Sequence, residues 1–310
     1  MKFLLLGANG QLGRTFLSDG GLAARGEVVA ASRDGQLFEA GYRGVSADLS
    51  DLAGLWALLE AEKPDVIVNA AAYTAVDKAE QEEALATRVN GEAPGVLGTW
   101  AHAHGAHVVH FSTDYVFPGD ATQPYAPSAA TGPQGAYGRG KLAGEEALRE
   151  SGASHMIFRT AWVYSPVGHN FLRTMLRLGA DRDELKVVAD QHGTPTTTAT
   201  IVAGTLVALD RLAAASTAER PTLLGTFHLT AGGATTWHGF AEAIFAEAAT
   251  SGLASRSPVV RAIGTAEFPT PAKRPAYSVL DTTSFSRTFD IVLADWREGL
   301  RDTVRALSIP

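Results

Sequence analysis

A glycine-rich segment, Gly7-Ala-Asn-Gly10-Gln-Leu-Gly13, follows a short apolar run and opens a stretch with helical spacing. Glycines at such a point permit a tight turn, a close approach of the backbone to a pyrophosphate, and close packing of helix on strand. The amino end of the helix then presents free N–H groups to an anion. A bare glycine triplet also occurs in ligand-free turns, but its place directly after a strand favours a dinucleotide site. The predicted contacts in this turn are Gly7, Asn9, Gly10, Gln11, Leu12 and Gly13.

Short apolar runs alternate with helix-length segments through the first half of the chain. The strand candidates are Phe3–Leu6, Val28–Ala31, Val66–Ala70, Val108–Phe111 and Met156–Phe158, and the helix candidates are Gly10–Leu17, Leu52–Glu62, Glu82–His104 and Gly140–Glu150. Strands of a parallel sheet are covered on both faces and therefore read as continuous apolar runs, as these do. The pattern predicts an α/β fold with a doubly wound, Rossmann-like parallel sheet.

After about Ser165 the rhythm becomes irregular. Segments rich in glycine, proline and threonine, Gln191–Thr198 and Pro269–Pro275, bracket further helices such as Trp237–Ala249. We interpret residues 1–165 as a dinucleotide-binding domain that is rejoined by about 196–230. A smaller substrate-binding lobe then comprises about 166–195 and 231–310.

The composition excludes several functions. A net charge of −7 argues against nucleic acid or an anionic membrane as the main partner, because both call for a basic face. With no cysteine, the chain has neither disulfides nor a thiolate nucleophile nor a cysteine-ligated zinc site. The opening run Met1–Leu6 stops at Gly7, short of the ~7–15 apolar residues of a secretory signal, and no later run reaches the ~18 of a membrane span. We expect a soluble, cytoplasmic protein.

The end of the second predicted strand bears on the choice of cofactor. It reads Ala31-Ser32-Arg33-Asp34, and Arg33 can pair with the 2′-phosphate of NADPH. An acid about 20 residues beyond the glycine turn is the NAD signature, so Asp34 keeps NADH as the alternative. Ser32 and Arg33 are predicted cofactor contacts. Asp48 and Leu49 are candidates for the adenine, although a helix N-cap at Asp48 or Ser50 explains this segment equally well.

The segment Tyr137-Gly-Arg-Gly-Lys141 places a phenol and an amine on one face of a helix, about one turn apart. A nearby ammonium favours the phenolate, so Tyr137 can act as a general acid and base. Alone, this spacing also describes a tyrosine that packs at a helix start beside a solvated lysine. It follows Ser112-Thr113-Asp114, however, at the carboxyl end of a predicted parallel strand, where ligands bind. Thr113 can contact the substrate oxygen or Tyr137, or cap local backbone instead.

Many further segments support a family resemblance. They are Pro64–Ala72, Thr74–Glu80, Ser112–Phe117, Tyr137–Glu145, Phe158–Tyr164, Asn170-Phe171, Asp190–Pro195, Ala231–Trp237 and Pro269–Pro275. With the glycine turn they make the chain resemble the extended short-chain dehydrogenases, and among them the dTDP-4-dehydrorhamnose reductase family, over nearly its whole length. The resemblance implies NADPH-dependent reduction, with NADH as the alternative, of the C4 keto group of a dTDP-sugar, without a catalytic metal.

The resemblance also implies roles for individual residues. The catalytic residues would be Thr113, Tyr137 and Lys141; Ala70, Ala71 and Ala72 would line the cofactor together with Tyr137 and Lys141; and Thr113, Asp114, Tyr137, Trp162 and Arg274 would contact the substrate, the last at its phosphates. From the residues alone, Trp162 reads as a core aromatic and Arg274 as part of a surface salt bridge.

One departure concerns assembly. Some members of the family form a dimer through magnesium held by carboxylates, one of them at a position where this chain has Thr15. We therefore expect a monomer or a weak homodimer. Two other functions stay open: reduction of a related dTDP-4-keto-6-deoxysugar, and a non-catalytic regulatory role like that of the β subunit of methionine adenosyltransferase. The presence of Thr113, Tyr137 and Lys141 favours an enzyme.

Overall fold

The computed structural model describes residues 1–254 and 256–308. The strands are β1 Lys2–Leu6, β2 Glu27–Ser32, β3 Arg43–Ser46, β4 Val66–Asn69, β5 His107–Thr113, β6 Ser154–Thr160, β7 Val163–Tyr164, β8 Glu184–Val188, β9 His192–Gly193, β10 Thr196–Thr197, β11 Gly225–His228, β12 Thr235–Thr236 and β13 Val259–Ile263. The helices are α1 Gln11–Asp19, α2 Leu52–Glu62, α3 Val76–Ala79, α4 Glu83–Thr87, α5 Ala93–His104, α6 Ala136–Glu150, α7 Phe171–Asp181, α8 Thr198–Ala214, α9 Trp237–Thr250, α10 Thr283–Phe289 and α11 Trp296–Ser308.

Seven strands form one parallel sheet in the order β11-β6-β5-β4-β1-β2-β3. The first three strands extend the sheet to one side, and β4 then pairs with the other edge of β1. Ligands of such sheets bind in the crevice at the carboxyl ends of the strands, where the strand order reverses. The predicted doubly wound fold is confirmed, and it sets the expected site beside the ends of β1, β4 and β5.

Both faces of this sheet are buried, as the continuous apolar runs predicted. Phe3 and Leu5 of β1 join one core cluster with residues of α1 and α8, while Leu4 and Leu6 join a second cluster on the opposite face with α2 and α5. Each fully buried side chain of this size stabilises the fold by roughly 1.5–3 kcal/mol. The strand ends are thereby held rigidly in place.

Some boundaries differ from the predictions. The fourth strand ends at Asn69 rather than at Ala70, and a π-helical segment at Arg88–Glu92 interrupts the helix expected over Glu82–His104. Helix α6 begins at Ala136 instead of Gly140, so Tyr137 lies in its first turn. Glycine weakens helices, so the glycines of this segment led to a predicted start that was too late. Close packing requires glycine at position 138, because a Cβ there would lie 2.3 Å from the carbonyl oxygen of Tyr115.

The second half of the chain contributes to two regions. Strand β11 extends the main sheet beside β6, and α8 packs on α1. Helices α7, α9 and α11 and the β8–β13 pair enclose a separate cluster that includes Tyr164, Phe240 and Trp296. Phe285 and Phe289 of α10 return to the core beneath the main sheet. Over residues 1–254 and 256–308, no helix has the length and apolar character needed to cross a membrane.

Candidate active site

The glycine turn is a tight cradle of backbone whose first and last glycines have no room for a side chain. Gly7 has a φ of +81°, and a Cβ there would lie 2.6 Å from the backbone nitrogen of Ala71. A Cβ at Gly13 would lie 2.2 Å from the carbonyl oxygen of Gly7. Gly10 is the N-cap of α1, and no side chain caps this helix, so the N–H groups of its first turn remain available to an anion.

The other residues predicted in this turn also serve the fold. The Asn9 side chain donates to the carbonyl oxygen of Gln36 (2.8 Å) and accepts from the N–H of Phe38 (3.0 Å), which ties the turn to the loop after β2. Gln11 Oε1 accepts from Asn170 Nδ2 at 2.7 Å, and Leu12 packs against the core on the α1 side. These contacts fix the cradle to its neighbouring loops.

The loop after β2 carries an acidic residue, Asp34, and a basic residue, Arg33. Ser32 Oγ donates to the carbonyl oxygen of Gln36 (2.7 Å) and to Asp34 Oδ1 (3.1 Å). The backbone N–H of Gln36 also donates to the Asp34 carboxylate and, with the Ser32 hydroxyl, lowers its pKa. Asp34 is therefore hydrogen-bonded within the loop, although both it and Arg33 are exposed.

The segment before α2 contains Asp48 and Ser50, which were considered as N-caps of this helix. Asp48 Oδ1 accepts from both the N–H (2.8 Å) and the hydroxyl (2.7 Å) of Ser50, which forms a local turn. The N-cap of α2 is Asp51, whose carboxylate accepts from the N–H of Gly54 at 3.0 Å. The suggestion that Asp48 or Ser50 caps this helix was wrong, because Asp51 stands one residue before the first helical residue. Leu49 is buried.

The loop after β4 faces the glycine turn. Residues 70–72 are half-buried, and the N–H of Ala70 donates to the carbonyl oxygen of Leu6 at 3.1 Å. The N–H of Ala71 donates to Asn69 Oδ1 at 3.3 Å. The predicted cofactor-lining alanines are thus brought against Gly7, at the point where the strand order reverses.

Thr113 and Tyr137 meet at the end of β5. The Thr113 hydroxyl donates to Asp114 Oδ1 (3.0 Å) and accepts from the N–H of Tyr115 (3.2 Å), so it does cap local backbone. Burial raises the pKa of the half-buried Tyr137 phenol well above its ordinary value, and a hydrogen bond with Thr113 opposes that rise. The expectation that the ammonium of Lys141 lowers this pKa is not met: the phenol is held in its protonated form, which carries the proton to be donated but is a weaker acid than an ordinary tyrosine.

Lys141 lies one helical turn beyond Tyr137 and is only 2% exposed. Its Nζ donates to the carbonyl oxygen of Phe111 at 2.6 Å and stands 3.3 Å from His110 Nε2. Burial lowers the pKa of Lys141 to about 8, against the opposing effect of the Glu145 carboxylate. The alternative of a solvated lysine was therefore wrong.

Asp114 is a buried carboxylate in which one oxygen has no hydrogen-bond partner among the described residues. Burial raises its pKa to about 6, and its Oδ2 accepts no hydrogen bond from the described residues. An unpaired buried acceptor costs free energy unless a ligand or water supplies a donor. A sugar hydroxyl has the chemistry to do so.

Trp162 packs against the edge of the core cluster that includes Tyr164, Phe240 and Trp296. It is half-buried, its φ is +47°, and its indole stacks on that of Trp237 with ring centroids 3.5 Å apart and planes 5° apart. A Cβ at Gly193 would lie 2.4 Å from the Trp162 ring. Strained backbone of this kind persists only where surrounding contacts enforce it, and it clusters at functional sites. Sequence analysis missed Trp237 as the partner, because only the fold brings the two indoles together.

Arg274 forms a partly exposed salt bridge with Asp77 of α3, as the residues alone suggested. Its Nη2 lies 2.7 Å from Asp77 Oδ2, its side chain is 20% exposed, and its guanidinium is 6.0 Å from the ring centroid of Tyr115. Its Nη1 has no hydrogen-bond partner among residues 1–254 and 256–308. Asp77 was not predicted as part of the site, although it lies in a segment that carried the family resemblance.

Thr15, which stands where some members of the family have a magnesium-binding carboxylate, faces α8. Its hydroxyl donates to the Gln11 carbonyl oxygen (2.9 Å) and to Thr198 Oγ1 (2.7 Å). In the part of the chain that the structure describes, no group of three or more His, Asp or Glu side chains is arranged to hold a metal ion. Thr15 is therefore used in the packing of α1 on α8.

A doubly wound sheet with a glycine turn after its first strand, and with a tyrosine and a lysine one turn apart on one helix, defines the class of the extended short-chain dehydrogenase/reductases, which are oxidoreductases. The family model described as RmlD substrate binding domain matches residues 1–309. The chain belongs to the dTDP-4-dehydrorhamnose reductase family.

Individual relatives support this membership. A dTDP-4-dehydrorhamnose reductase from Burkholderia thailandensis is 45% identical over 314 residues, covering 99% of each chain. A probable dTDP-4,6-dihydroxy-2-methyloxan-3-one 4-ketoreductase from Streptomyces antibioticus is 39% identical and covers 97% of this chain and 94% of its own. The crystal structure of a Bacillus anthracis dTDP-4-dehydrorhamnose reductase in complex with NADP superimposes with a TM-score of 0.82 at 31% identity, covering 97% and 98% of the two chains.

Proposed function

We propose that this protein reduces the C4 keto group of dTDP-4-dehydro-L-rhamnose to give dTDP-L-rhamnose, with NADPH as hydride donor and NADH as the alternative. The observation that carries the proposal is the pairing of a protonated, half-buried Tyr137 with a buried Lys141 one turn away, at the sheet edge where the glycine cradle lies. Its family membership supplies the class of substrate.

The glycine turn suits a dinucleotide, because its backbone packs tightly without side chains and the uncapped start of α1 leaves N–H groups available to a pyrophosphate. When bound, the reduced nicotinamide supplies the hydride. The residues that would hold the cofactor are Gly7, Asn9, Gly10, Gln11, Leu12, Gly13, Ser32, Arg33, Asp48, Leu49, Ala70, Ala71, Ala72, Tyr137 and Lys141. Arg33 would meet the 2′-phosphate, since Asp34 is already engaged within its loop.

The reaction adds one hydride to C4 and one proton to the C4 oxygen. Tyr137 Oη gives that proton as negative charge develops on the oxygen. Thr113, beside the phenol, would donate to the same oxygen after its hydroxyl turns away from Asp114, to which it donates in this structure. Lys141 would orient the cofactor's ribose and supports the exchange of the tyrosine proton.

The remaining contacts would hold the sugar nucleotide. Asp114 would accept from a sugar hydroxyl through its unpaired Oδ2, Trp162 would pack against the ligand, and Arg274 would bind the phosphates. Under this proposal residues 1–165 with about 196–230 form the cofactor domain. About 166–195 and 231–310 form the substrate lobe, with α10 packed beneath the main sheet.

We take the protein to be a monomer or a weak homodimer, because Thr15 replaces the carboxylate that would link subunits through magnesium, and its hydroxyl is engaged by Thr198. Light scattering with and without magnesium tests this assignment. A stable, magnesium-dependent dimer would contradict it.

A second candidate is the reduction of a related dTDP-4-keto-6-deoxysugar, which the named activity of the Streptomyces antibioticus relative favours. The two are separated by following NADPH oxidation with a panel of dTDP-4-keto sugars and by determining the C4 configuration of each product by NMR. Fastest turnover on dTDP-4-dehydro-L-rhamnose supports the first. Absence of turnover on any member of the panel would instead favour a regulatory, non-catalytic protein.

A further inference from the structure

The start of α6, the helix that carries Tyr137 and Lys141, receives little support from its own sequence. The N-cap is Gly135, which has no side chain to accept from the N–H groups of the first turn. That turn reads Ala136-Tyr-Gly-Arg-Gly140 and contains no acidic residue, and glycine is the weakest helix former after proline. Because the ends of helices fray, contacts from outside α6 must hold this turn in place.

Glu80 supplies a cap from a position 56 residues earlier in the chain. The N–H of Ala136, the first residue of α6, donates to Glu80 Oε1 at 2.8 Å. Gly135 leaves the space that this carboxylate occupies, because a Cβ there would lie 2.6 Å from Glu80 Oε1. The positive end of a helix also favours a carboxylate. The acceptor that the N-cap residue lacks is therefore provided by the side chain of Glu80.

The segment that carries Glu80 is itself held firmly. Glu80 is half-buried and directly follows α3, whose last residue, Ala79, is fully buried. Ala79 packs with Ala136 in a small apolar cluster, and the ring of Tyr137 lies against the same cluster. On the same short helix, Asp77 forms the ion pair with the arginine of the substrate side. The cap is thus part of a packed contact between α3 and α6.

We propose that Glu80 is a positioning residue: its carboxylate caps α6 and thereby fixes the backbone that carries Tyr137. Tyr137 is the second residue of the helix, so fraying of the first turn would move the phenol relative to the ketone. A misplacement of about 1 Å can lower the rate of a reaction between positioned groups by roughly 10²-fold. Lys141 lies beyond the first turn, where the intrahelical hydrogen bonds are complete, so it depends less on the cap. The consequence for turnover rests on the proposed reductase function.

The first test needs neither substrate nor cofactor. Because the Ala136 N–H is bonded to Glu80, NMR of the parent protein should show that this amide exchanges slowly with solvent deuterium. Glu80→Ala removes the acceptor and should speed the exchange by about tenfold or more. Glu80→Gln keeps an oxygen that can accept, so its exchange rate should stay within about threefold of the parent. An Ala136 amide that exchanges equally fast in the parent and in Glu80→Ala would overturn the inference.

Glu83 offers a matched control. It is a second glutamate that reaches the first turn of α6, but its carboxylate pairs with the side chain of Arg139 at 2.8 Å, and about half of that ion pair is exposed. Glu83→Ala should leave both the exchange of the Ala136 amide and the turnover within about twofold of the parent. Equal effects of Glu80→Ala and Glu83→Ala would mean that the loss of any carboxylate beside the helix is responsible, and would contradict a specific cap.

Two substitutions at Gly135 test the cap from the helix side and carry the test should Glu80→Ala fail to fold. The backbone at Gly135 is extended, with a φ of −132° and a ψ of 166°, so alanine and serine both fit it. Either Cβ displaces the flexible carboxylate of Glu80, but only serine brings a hydroxyl that accepts from an N–H of the first turn. Gly135→Ala should therefore lose turnover as Glu80→Ala does, whereas Gly135→Ser should retain it and slow the exchange of the Gly138 amide. A serine variant no better than the alanine variant would show that capping is not the cause.

Steady-state kinetics measure the consequence for the reaction. Glu80→Ala should lower kcat about tenfold while KM for the dTDP-sugar and the affinity for NADPH stay within about twofold, because the cap acts on the place of the phenol and not on a binding surface. Adding Gly135→Ser to Glu80→Ala should restore most of kcat. A loss that falls mainly on KM or on cofactor affinity, or that serine does not restore, would contradict the positioning role. If the Ala136 amide responds as expected but the parent protein reduces no dTDP-sugar, the proposed reductase function fails while the assignment of Glu80 as the cap of α6 stands.

Discussion

The two edges of the crevice that the proposed function assigns to the cofactor and to the substrate, called here the cofactor edge and the substrate edge, are built in different ways. At the cofactor edge the backbone defines the shape: Gly7 and Gly13 approach neighbouring backbone so closely that neither has room for a side chain. At the substrate edge the shape depends on side chains far apart in sequence, as in the pair of Asp77 and Arg274, 197 residues apart. A short local motif can therefore specify the first edge, whereas the second requires the completed fold.

Tyr137 is the proton donor under the proposed function, and its replacement should produce the largest effect. Tyr137→Phe removes the proton donor but little contact area, so we expect turnover to fall by roughly 10²–10⁴-fold with unchanged cofactor affinity. Steady-state kinetics and cofactor titration by fluorescence measure the two quantities. Tyr42→Phe is the control, because its hydroxyl bonds the Leu17 carbonyl oxygen at 2.6 Å, away from the site. A Tyr137→Phe enzyme with full activity would remove the assigned role.

Gly13→Ala probes the backbone-defined edge. Its Cβ would lie 2.2 Å from the Gly7 carbonyl oxygen, so the turn must shift, and we expect cofactor affinity to fall by about 100-fold, or about 3 kcal/mol. Gly105→Ala is a suitable control: φ is +69° there and no atom lies within 4 Å, so alanine costs about 1–2 kcal/mol of stability without touching the site. Equal loss of cofactor binding in both variants would show that the turn is not the cause.

The same contrast explains what the sequence could predict. Periodicity and the glycine turn led to the parallel sheet and to the place of the site, because local chemistry decides both. The partners Trp237 and Asp77 were missed, since no local signal marks a residue whose role comes from a contact made across the fold.

Replacing Asp114 tests whether a buried charge at the substrate edge lowers the stability of the folded protein. Burial raises its pKa in the folded state to about 6, from a value near 4 in the unfolded chain, so stability falls as pH rises between these values. We expect Asp114→Asn to increase the free energy of unfolding at pH 7 by up to about 2–3 kcal/mol and to change it little at pH 4. Urea denaturation at the two pH values measures the difference. An equal effect at both would show that the charge of Asp114 is not responsible.

Asp77→Asn should give the smallest effect and addresses the contrast most directly. The Asp77–Arg274 pair is partly exposed, so its loss costs about 1 kcal/mol, and its consequence is a less well-placed guanidinium. We expect KM for the dTDP-sugar to rise about fivefold while kcat and cofactor affinity hold, because Arg274 would act on the phosphates and not on the reacting carbon. Asp183→Asn removes an exposed ion pair with Arg256 and should alter neither constant. A fall in cofactor affinity in Asp77→Asn would mean that the two edges are not built independently, since the substrate-side pair would then also position the loop that faces the glycine turn.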